Sequence, residues 1–379
     1  MKYVDEYRDG RIARAFAARI ADDVSPEMRY RFMEFCGGHT HTISRYGIAD
    51  LLPHNVGMIH GPGCPVCVLP IGRIDAAIGL SRHPEVTLCV YGDLMRVPGS
   101  QGMSLLKAKA AGADIRMIYS ALDAIRIAEA EPNREVVFFA IGFETTTPPT
   151  ALAIQSAAEK RLANFSVFCN HVLTPPAIRA ILDSPEMRET GDAKIDGIIG
   201  PSHVSTIIGI EPYVPLAGAF RTPVVVAGFE PLDVMQAILM LVHQVNEQRH
   251  DVENQYLRVV APGGNPKAQD AIADVFALRE SFEWRGLGAL PWSALRLKEI
   301  YAKFDAEQRF DIAETVGHDN PACECGAILR GVKTPSECKL FGTVCTPETP
   351  MGSCMVSSEG ACAAHWAYGR FREVAKRAS

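Results

Sequence analysis

Short runs of β-branched and aromatic residues alternate along the chain with segments in which apolar residues recur every three or four positions. The short runs are bounded by Gly, Pro or Asn and predict buried strands. They are VGMIH (56–60), VTLCVYG (86–92), IRMIY (115–119), VVFFAIG (136–142), FSVFC (165–169), IDGIIG (195–200), PVVVAG (223–228) and LRVVA (257–261). The other segments predict helices over 120–130, 150–163 and 231–245. Because strands alternate with helices, we expect parallel sheets in an α/β fold.

The predicted strands are too numerous for one small sheet, so we expect two parallel-sheet α/β domains that flank a cleft. The first is predicted at 30–119, with part of 231–270 as a candidate addition, and the second at 120–230. Residues 1–29 together with 271–379 are predicted to form a third, smaller and mainly helical domain. This third domain would contain the cysteine-rich end of the chain.

The composition is that of a globular protein without a nucleic-acid or membrane partner. Of the 379 residues, 47% are hydrophobic and 22% are charged, which is enough apolar material for sizeable cores. The net charge is −6, whereas a protein that binds nucleic acid typically carries an excess of positive charge. The opening segment MKYVDEYRDGRIARAF is charged throughout, and we find no stretch of about 18 uncharged apolar residues. We therefore expect a cytoplasmic location.

The eleven cysteines predict two separate thiol sites. In a reducing compartment they indicate metal ligands, redox thiols or small buried hydrophobes rather than a disulfide framework. Cys64 and Cys67 form an isolated C-x-x-C, whereas Cys89 and Cys169 lie inside strand runs and are interpreted as core. A dense group near the C-terminus consists of Cys323, Cys325, Cys338, Cys345, Cys354 and Cys362.

Polar residues follow four of the predicted strands. Glu144 and Glu230 each follow a Gly-Phe pair, and His171 and His203 each precede a valine. The carboxyl ends of parallel strands line the ligand crevice, so these side chains are predicted to converge on a site. The alternative is that the glutamates cap helices and the histidines bond backbone groups in turns.

The segment CGGHTH suggests metal or thiol chemistry at Cys36. Two glycines allow close approach of a ligand, and His39 and His41 would project to one side if the segment were extended. One thiolate and two imidazoles suit iron or another transition metal. A purely structural role for these residues stays open.

The segment GPGCPVC places Cys64 and Cys67 at the start of a predicted helix. A helix N-terminus favours the thiolate, so we expect lowered thiol pKa values and a reversible disulfide or metal transfer. Half of a zinc site is the competing interpretation, although the sequence contains no second C-x-x-C.

Four C-terminal cysteines, Cys323, Cys338, Cys345 and Cys362, have the spacing C-x14-C-x6-C-x16-C. Four thiolates are what a 4Fe-4S cluster requires, although neither common ferredoxin spacing is present and zinc remains an alternative. The remaining pair, Cys325 and Cys354, could form a disulfide that exchanges electrons with the cluster and relays them towards the C-x-x-C pair.

Several longer motifs together resemble the HypD family of [NiFe]-hydrogenase maturation proteins, and the resemblance spans essentially the whole chain. The motifs are CGGHTH (36–41), GPGCPVC (61–67), GFETT (142–146), CNHV (169–172), GPSHVSTIIG (200–209) and SCMVSSEGACAA (353–364).

The resemblance implies a three-domain scaffold with a 4Fe-4S cluster in the third domain. It implies a complex with a HypC-type chaperone, with this chain as a monomer, that carries iron receiving cyanide from HypE. Matched by motif, Cys36 would hold this iron with His39 as a neighbour, and Cys64 and Cys67 would be a redox-active pair facing it. The cluster ligands would be Cys323, Cys338, Cys345 and Cys362. The cleft residues that could bond the diatomic ligands or shuttle protons would be Glu144, His171, His203 and Glu230.

The resemblance implies a scaffold for assembling an iron centre with cyanide and carbonyl ligands, rather than a conventional turnover enzyme. The alternative is a 4Fe-4S-dependent thiol-disulfide oxidoreductase, which would need only the C-x-x-C pair and the C-terminal cysteines. Such an enzyme has no need for Cys36 and its His-x-His. A third interpretation is a zinc-stabilised interaction protein.

Overall fold

Two parallel β-sheets form the centre of the protein, which confirms the predicted α/β class. The computed structural model describes residues 2, 4–185, 194–312, 317 and 319–370. The strands are β1 (Tyr30–Glu34), β2 (Val56–His60), β3 (Val86–Val90), β4 (Ile115–Met117), β5 (Glu135–Gly142), β6 (Phe165–His171), β7 (Gly197–Gly200), β8 (Val224–Val226), β9 (Val252–Asn254), β10 (Phe276–Leu278), β11 (Ser281–Trp284), β12 (Gly288–Pro291) and β13 (Leu295–Leu297).

Helices follow most of these strands. They are α1 (Gly10–Asp23), α2 (Gly37–Tyr46), α3 (Ile48–Leu51), α4 (Pro65–Val68), α5 (Ile71–Leu80), α6 (Leu105–Ala110), α7 (Ala121–Ala130), α8 (Thr147–Glu159), α9 (Thr174–Leu182), α10 (Ser202–Ile208), α11 (Val214–Phe220), α12 (Pro231–Asn246), α13 (Pro266–Val275), α14 (Ala306–Arg309), α15 (Cys325–Leu329) and α16 (Ala361–Ala364). No helix in the described ranges is both long and apolar enough to cross a membrane.

Sheet A has the parallel order β2-β1-β7-β8-β9 and is covered on both faces. Alternate residues of β1 point to opposite faces: Phe32 packs with α1 and α12, whereas Met33 packs with α9 and α11. Burial on both faces explains why these strands appear in the sequence as nearly continuous apolar runs.

Sheet B has the parallel order β4-β3-β5-β6. Along β5, Phe138 packs towards α7 and α8, whereas Phe139 packs in the largest apolar cluster, towards α5 and the cysteine-rich segment. The C-terminal cysteines are therefore anchored to one face of sheet B.

The region after α13 contains two antiparallel ribbons, β10 with β13 and β11 with β12. Between residues 319 and 370, regular structure is limited to short helical segments. The predicted domain boundaries stay a prediction. Each sheet, however, combines strands from before and after residue 120. Sheet B joins β3 and β4 to β5 and β6, and sheet A joins β1 and β2 to β7, β8 and β9.

One predicted strand is wrong. The segment LRVVA (257–261) forms a turn, and the neighbouring strand is β9. Leu257 is exposed to solvent, and the side chain of Arg258 forms an ion pair with Asp233 at 2.5 Å. The apolar pattern alone did not distinguish this turn from a strand.

Candidate metal and thiol site

Cys36 lies where β1 ends and α2 begins, almost completely buried with 5% exposure. Its Sγ lies 3.8 Å from Nδ1 of His203, at the start of α10. Burial raises the pKa of the Cys36 thiol to about 12, and the negative charges of Glu359 and Glu34 act in the same direction. The thiol is therefore protonated at neutral pH, and a bound metal cation would be needed to hold it as a thiolate.

Glu34 fixes the backbone around Cys36. This fully buried carboxylate accepts a hydrogen bond from the Cys36 amide at 2.9 Å and another from the Thr40 hydroxyl. Nδ1 of His60 lies 2.8 Å from the same carboxylate. The three contacts connect β1, β2 and the first turn of α2, so the position of Cys36 depends on Glu34.

His39 lies in the first turn of α2, with its ring wholly buried. Its Nε2 is 3.1 Å from the carbonyl oxygens of Ala227 and Gly228, which places the ring proton on Nε2. Nδ1 then carries the lone pair, and it has no hydrogen-bond partner among the described residues. Burial lowers the pKa of His39. The ring is thus a neutral acceptor beside Cys36, whose carbonyl accepts from the His39 amide at 2.8 Å.

The rings of His39 and His41 do not project to the same side, because residues 37–46 are helical rather than extended. His41 instead contacts the hydroxyl of Tyr368, with its Nε2 at 3.1 Å. In a helix, residues two positions apart face different directions. Of the two histidines, only His39 belongs to the surroundings of Cys36.

The GPGC loop lies directly against Cys36. The amide of Gly37 donates to the carbonyl of Gly63 at 3.1 Å. A Cβ atom on Gly63 would come within 2.5 Å of the Cys36 nitrogen and 2.6 Å of its Cα. The two cysteine motifs can approach this closely only because position 63 has no side chain.

Gly63→Ala is therefore expected to destabilise the protein by about 1–3 kcal/mol, since the added methyl group meets backbone atoms that cannot move aside. Gly79→Ala is the matched control, because the same methyl group in α5 would meet nothing within 4 Å. We expect the control to be neutral or stabilising by up to about 1 kcal/mol. Urea unfolding of both variants measures the difference, and equal unfolding free energies would contradict the close approach.

Cys64 and Cys67 lie at the two ends of one helical turn. Cys64 precedes α4, and its Sγ accepts from the Cys67 amide at 3.3 Å. Cys67 is fully buried, and its carbonyl accepts from the hydroxyl of Ser353 at 2.8 Å. The expected lowering of the thiol pKa is wrong for Cys67, because burial raises it. A helix of four residues offers too small a dipole to offset that desolvation.

The thiols continue from the C-x-x-C pair into the C-terminal segment. The thiol of Cys67 neighbours those of Cys64 and Cys354 and donates to the carbonyl of Ser353 at 3.9 Å, and Cys354 also neighbours Cys325. Cys325 in turn contacts the thiols of Cys323 and Cys362. All eleven cysteines, which fall within the described ranges, are free thiols. The proposed Cys325–Cys354 disulfide stays a prediction, but the two thiols are neighbours.

The C-terminal cysteines suit an iron-sulfur group in their donor chemistry. A Cβ atom on Gly352 would approach the Sγ atoms of Cys323 and Cys325, at 2.6 Å in the second case, so glycine leaves room for these thiols. The Met351 amide donates to Sγ of Cys345 at 3.4 Å, a contact typical of cysteine ligands in clusters. The thiol of Cys338 lies near the carboxylate of Glu324.

Within the described residues, no group of three or more His, Cys, Asp or Glu side chains is placed so that it could hold one metal ion. Closed zinc sites need four such ligands around one ion. The thiols form an extended group rather than one tetrahedron. Thiolate donors of this kind suit zinc or an iron-sulfur cluster.

The predicted cleft residues other than His203 make local contacts. Glu144 accepts from both the amide and the hydroxyl of Thr174, at 2.9 and 3.0 Å, and burial raises its pKa to about 7. His171 bonds the hydroxyl of Thr150 at 2.9 Å through Nε2, and burial lowers its pKa to about 4. Glu230 caps α12 and pairs with Arg8. Their contacts fit the capping alternative, and their roles in chemistry stay predictions.

Besides Glu34, two further residues near Cys36 were missed by sequence reasoning. The ring of Phe229 stacks on His203, with centroids 4.2 Å apart, and lies 5.1 Å from the ring of His39. The carboxylate of Glu359 lies so close to Gly37 that a Cβ atom there would be 2.9 Å from Oε2. Burial raises the pKa of Glu359. Phe229 lies in the GFE motif and Glu359 in the SSEGAC motif, and this was the feature of the sequence that could have identified them.

Comparison with known proteins gives one consistent assignment. The family model HypD, described as "Hydrogenase formation hypA family", matches residues 11–369. A hydrogenase maturation factor HypD from Rhizobium leguminosarum bv. viciae is 71% identical over 377 residues, covering 100% of this chain and 98% of the relative. The factor of the same name from Cupriavidus necator is 63% identical over 374 residues, covering 99% of both. That from Escherichia coli K12 is 48% identical over 373 residues, covering 97% of this chain and 98% of the relative. The chain therefore belongs to the HypD family of hydrogenase maturation factors.

Proposed function

We propose that this maturation factor is the scaffold on which an iron with two cyanide ligands and one carbonyl ligand is assembled for a [NiFe]-hydrogenase. The observation that carries the proposal is the pairing of two sites: a buried single thiol at Cys36, and a line of contacting thiols that runs from the adjoining GPGC loop into the C-terminal segment. The first site would bind the iron while its ligands are added. The second site would transfer the electrons that this assembly requires.

The iron is a substrate that this site would hold and release. Low-spin iron with cyanide and carbonyl ligands is electron-rich and favours a soft thiolate such as that of Cys36. His203 lies beside that thiol, and it is a donor that can bond a diatomic ligand. Partial burial lowers the pKa of His203, and the nearby ring of His39 acts in the same direction. The neutral form of the His203 ring is therefore favoured. A second thiolate would come from the HypC-type chaperone, and HypE would deliver the cyanide.

The C-terminal cysteines would hold a 4Fe-4S cluster through Cys323, Cys338, Cys345 and Cys362. When bound, such a cluster supplies electrons one at a time. The thiols of Cys325, Cys354 and Cys67 lie in consecutive contact between this region and Cys64. A disulfide formed among these thiols would accept two electrons, one at a time from the cluster, together with two protons, and would exchange along them towards Cys64.

The proposal predicts the iron content of the complex with a HypC-type chaperone, purified without oxygen. The wild-type complex should hold about five irons, four in the cluster and one at Cys36. Cys36→Ala should hold about four, because the single iron loses its thiolate while the cluster ligands are unchanged. Iron analysis together with the visible absorption of the cluster measures both numbers.

Cys89→Ala is the matched control, since Cys89 is also fully buried but lies within β3 among apolar side chains. It should keep the iron content of the wild type. Equal iron in all three proteins would refute the role of Cys36.

A second candidate function, a 4Fe-4S-dependent thiol-disulfide oxidoreductase, is favoured by the direct contacts among Cys67, Cys354 and Cys325. Such an enzyme would reduce an external disulfide at the same rate with or without Cys36. Comparing disulfide reduction by the wild type and Cys36→Ala, with the cluster chemically reduced beforehand, separates the two functions. Substrate disulfide reduction that is unaffected by the substitution, in a complex without the additional iron, would favour the oxidoreductase.

A further inference from the structure

Arg285 is a buried cation between the two thiol regions. Its amide donates to the carbonyl of Val68, the last residue of α4, at 2.8 Å. The next residue, Gly286, packs so closely on α15 that a Cβ atom there would lie 2.7 Å from the Cα of Gly326. Arg285 is therefore held by the C-x-x-C helix on one side and by the helix that begins at Cys325 on the other.

The guanidinium group of Arg285 has more donors than partners. Its side chain is 2% exposed, and Nε donates to the Asp319 carboxylate at 2.7 Å. Nη2 is also within ion-pair range of that carboxylate, but neither Nη1 nor Nη2 has a hydrogen-bond partner among the described residues. Asp319 is 44% exposed, so water screens its charge. Burying charged donors without acceptors is costly, which indicates that an acceptor is still to be supplied.

The guanidinium group of Arg285 is held at the turn that leads to Cys323. Its partner Asp319 is followed by Asn320, whose carbonyl accepts from the Cys323 amide at 2.8 Å. As a thiolate in a bound cluster, Cys323 would supply the acceptor that the Nη donors lack. Other cations of this region are engaged elsewhere: Arg330 donates to the carbonyl of Gly286, and Lys333 pairs with Glu324. A cluster with four thiolate ligands is an anion, and hydrogen bonds to its sulfurs together with nearby charge set its potential.

We propose that Arg285 is a positioning residue for the bound cluster, which donates from its Nη groups to the Cys323 thiolate and raises the reduction potential of the cluster. This inference rests on the proposed 4Fe-4S site. It goes further by assigning to Arg285, outside every cysteine motif, control over how readily the cluster accepts an electron. Its contact with the carbonyl of Val68 also ties that control to the C-x-x-C helix.

The test is a potentiometric titration of the reconstituted full-length protein, followed by electron paramagnetic resonance. Arg285→Met keeps most of the side-chain volume but removes the charge and the donors. We expect at least a tenfold loss in the equilibrium constant for one-electron reduction, which is a fall of about 59 mV. Arg285→Lys keeps the charge and should stay within about threefold of the wild type.

Asp319→Asn provides a matched change of opposite sign, because it removes the carboxylate that partly neutralises Arg285. We expect the reduction potential of this variant to rise. A purely structural role of Arg285 would not produce opposite shifts in the two variants.

An intact cluster in Arg285→Met with an unchanged potential would overturn the inference, as would shifts of the same sign in Arg285→Met and Asp319→Asn. If Arg285→Met fails to retain a cluster, the Asp319→Asn titration decides: a higher potential supports the inference and an unchanged one overturns it. A wild-type protein that shows no 4Fe-4S spectrum would instead refute the proposed cluster itself.

Discussion

Cys338→Ala is expected to lose most of the visible iron-sulfur absorption and at least one of the four cluster irons, because one iron is left without its thiolate ligand and the cluster is destabilised. The effect should extend to folding. Between residues 319 and 370 the described chain forms only short helical segments, so much of its order would come from ligand bonds. Limited proteolysis of the variant should therefore cut this segment faster, while the two sheets remain resistant.

Cys169→Ala is the control for that substitution. Cys169 lies in β6, where its thiol donates to the carbonyl of Leu295 at 3.4 Å and packs among apolar side chains. We expect it to keep the cluster absorption and to lose about 1 kcal/mol of stability. An unchanged iron-sulfur spectrum in Cys338→Ala would refute Cys338 as a ligand.

Glu34→Ala is expected to destabilise the protein by about 3–5 kcal/mol, because it leaves two buried groups and one half-buried ring without their common acceptor. These groups are the amide of Cys36, the hydroxyl of Thr40 and the ring of His60. The loop that presents Cys36 should lose its position, and retention of the single iron by the chaperone complex should fall more than tenfold. Urea unfolding measures the first effect and iron analysis the second.

Glu159→Ala serves as the comparison, since this glutamate is exposed at the end of α8. Its stability should stay within about 0.5 kcal/mol of the wild type. If Glu34→Ala is no more destabilising than this surface change, Glu34 does not organise the Cys36 loop.

The strands of sheet B were predictable because they are buried on both faces. The run VVFFAIG supplies Phe138 to one face and Phe139 to the other, so the sequence shows a continuous apolar stretch bounded by turn residues. In sheet A, β1 was harder to recognise, because it ends in the charged residue Glu34, whose burial depends on His60 and Thr40. The order of strands within each sheet was not readable, since it depends on pairing between distant parts of the chain.

Motif residues of the candidate site were predictable, but the residues that organise them were not. Cys36, Cys64 and Cys67 stand out because glycine and proline surround them. Nothing local to Glu359 or Arg285 indicates that the first lies beside Gly37 and the second beside α4, because those contacts join segments more than 200 residues apart. The helical state of HTH was also missed, since the sequence permits an extended segment equally well.

Infrared spectroscopy of the anaerobically purified chaperone complex shows whether Cys36 holds an iron with cyanide and carbonyl ligands. We expect bands in the cyanide and carbonyl stretching region for the wild type and for Cys89→Ala, and no such bands for Cys36→Ala with its cluster still present. Bands that persist in Cys36→Ala would refute the role of Cys36, and a wild-type complex with cluster iron but no bands would favour the thiol-disulfide oxidoreductase.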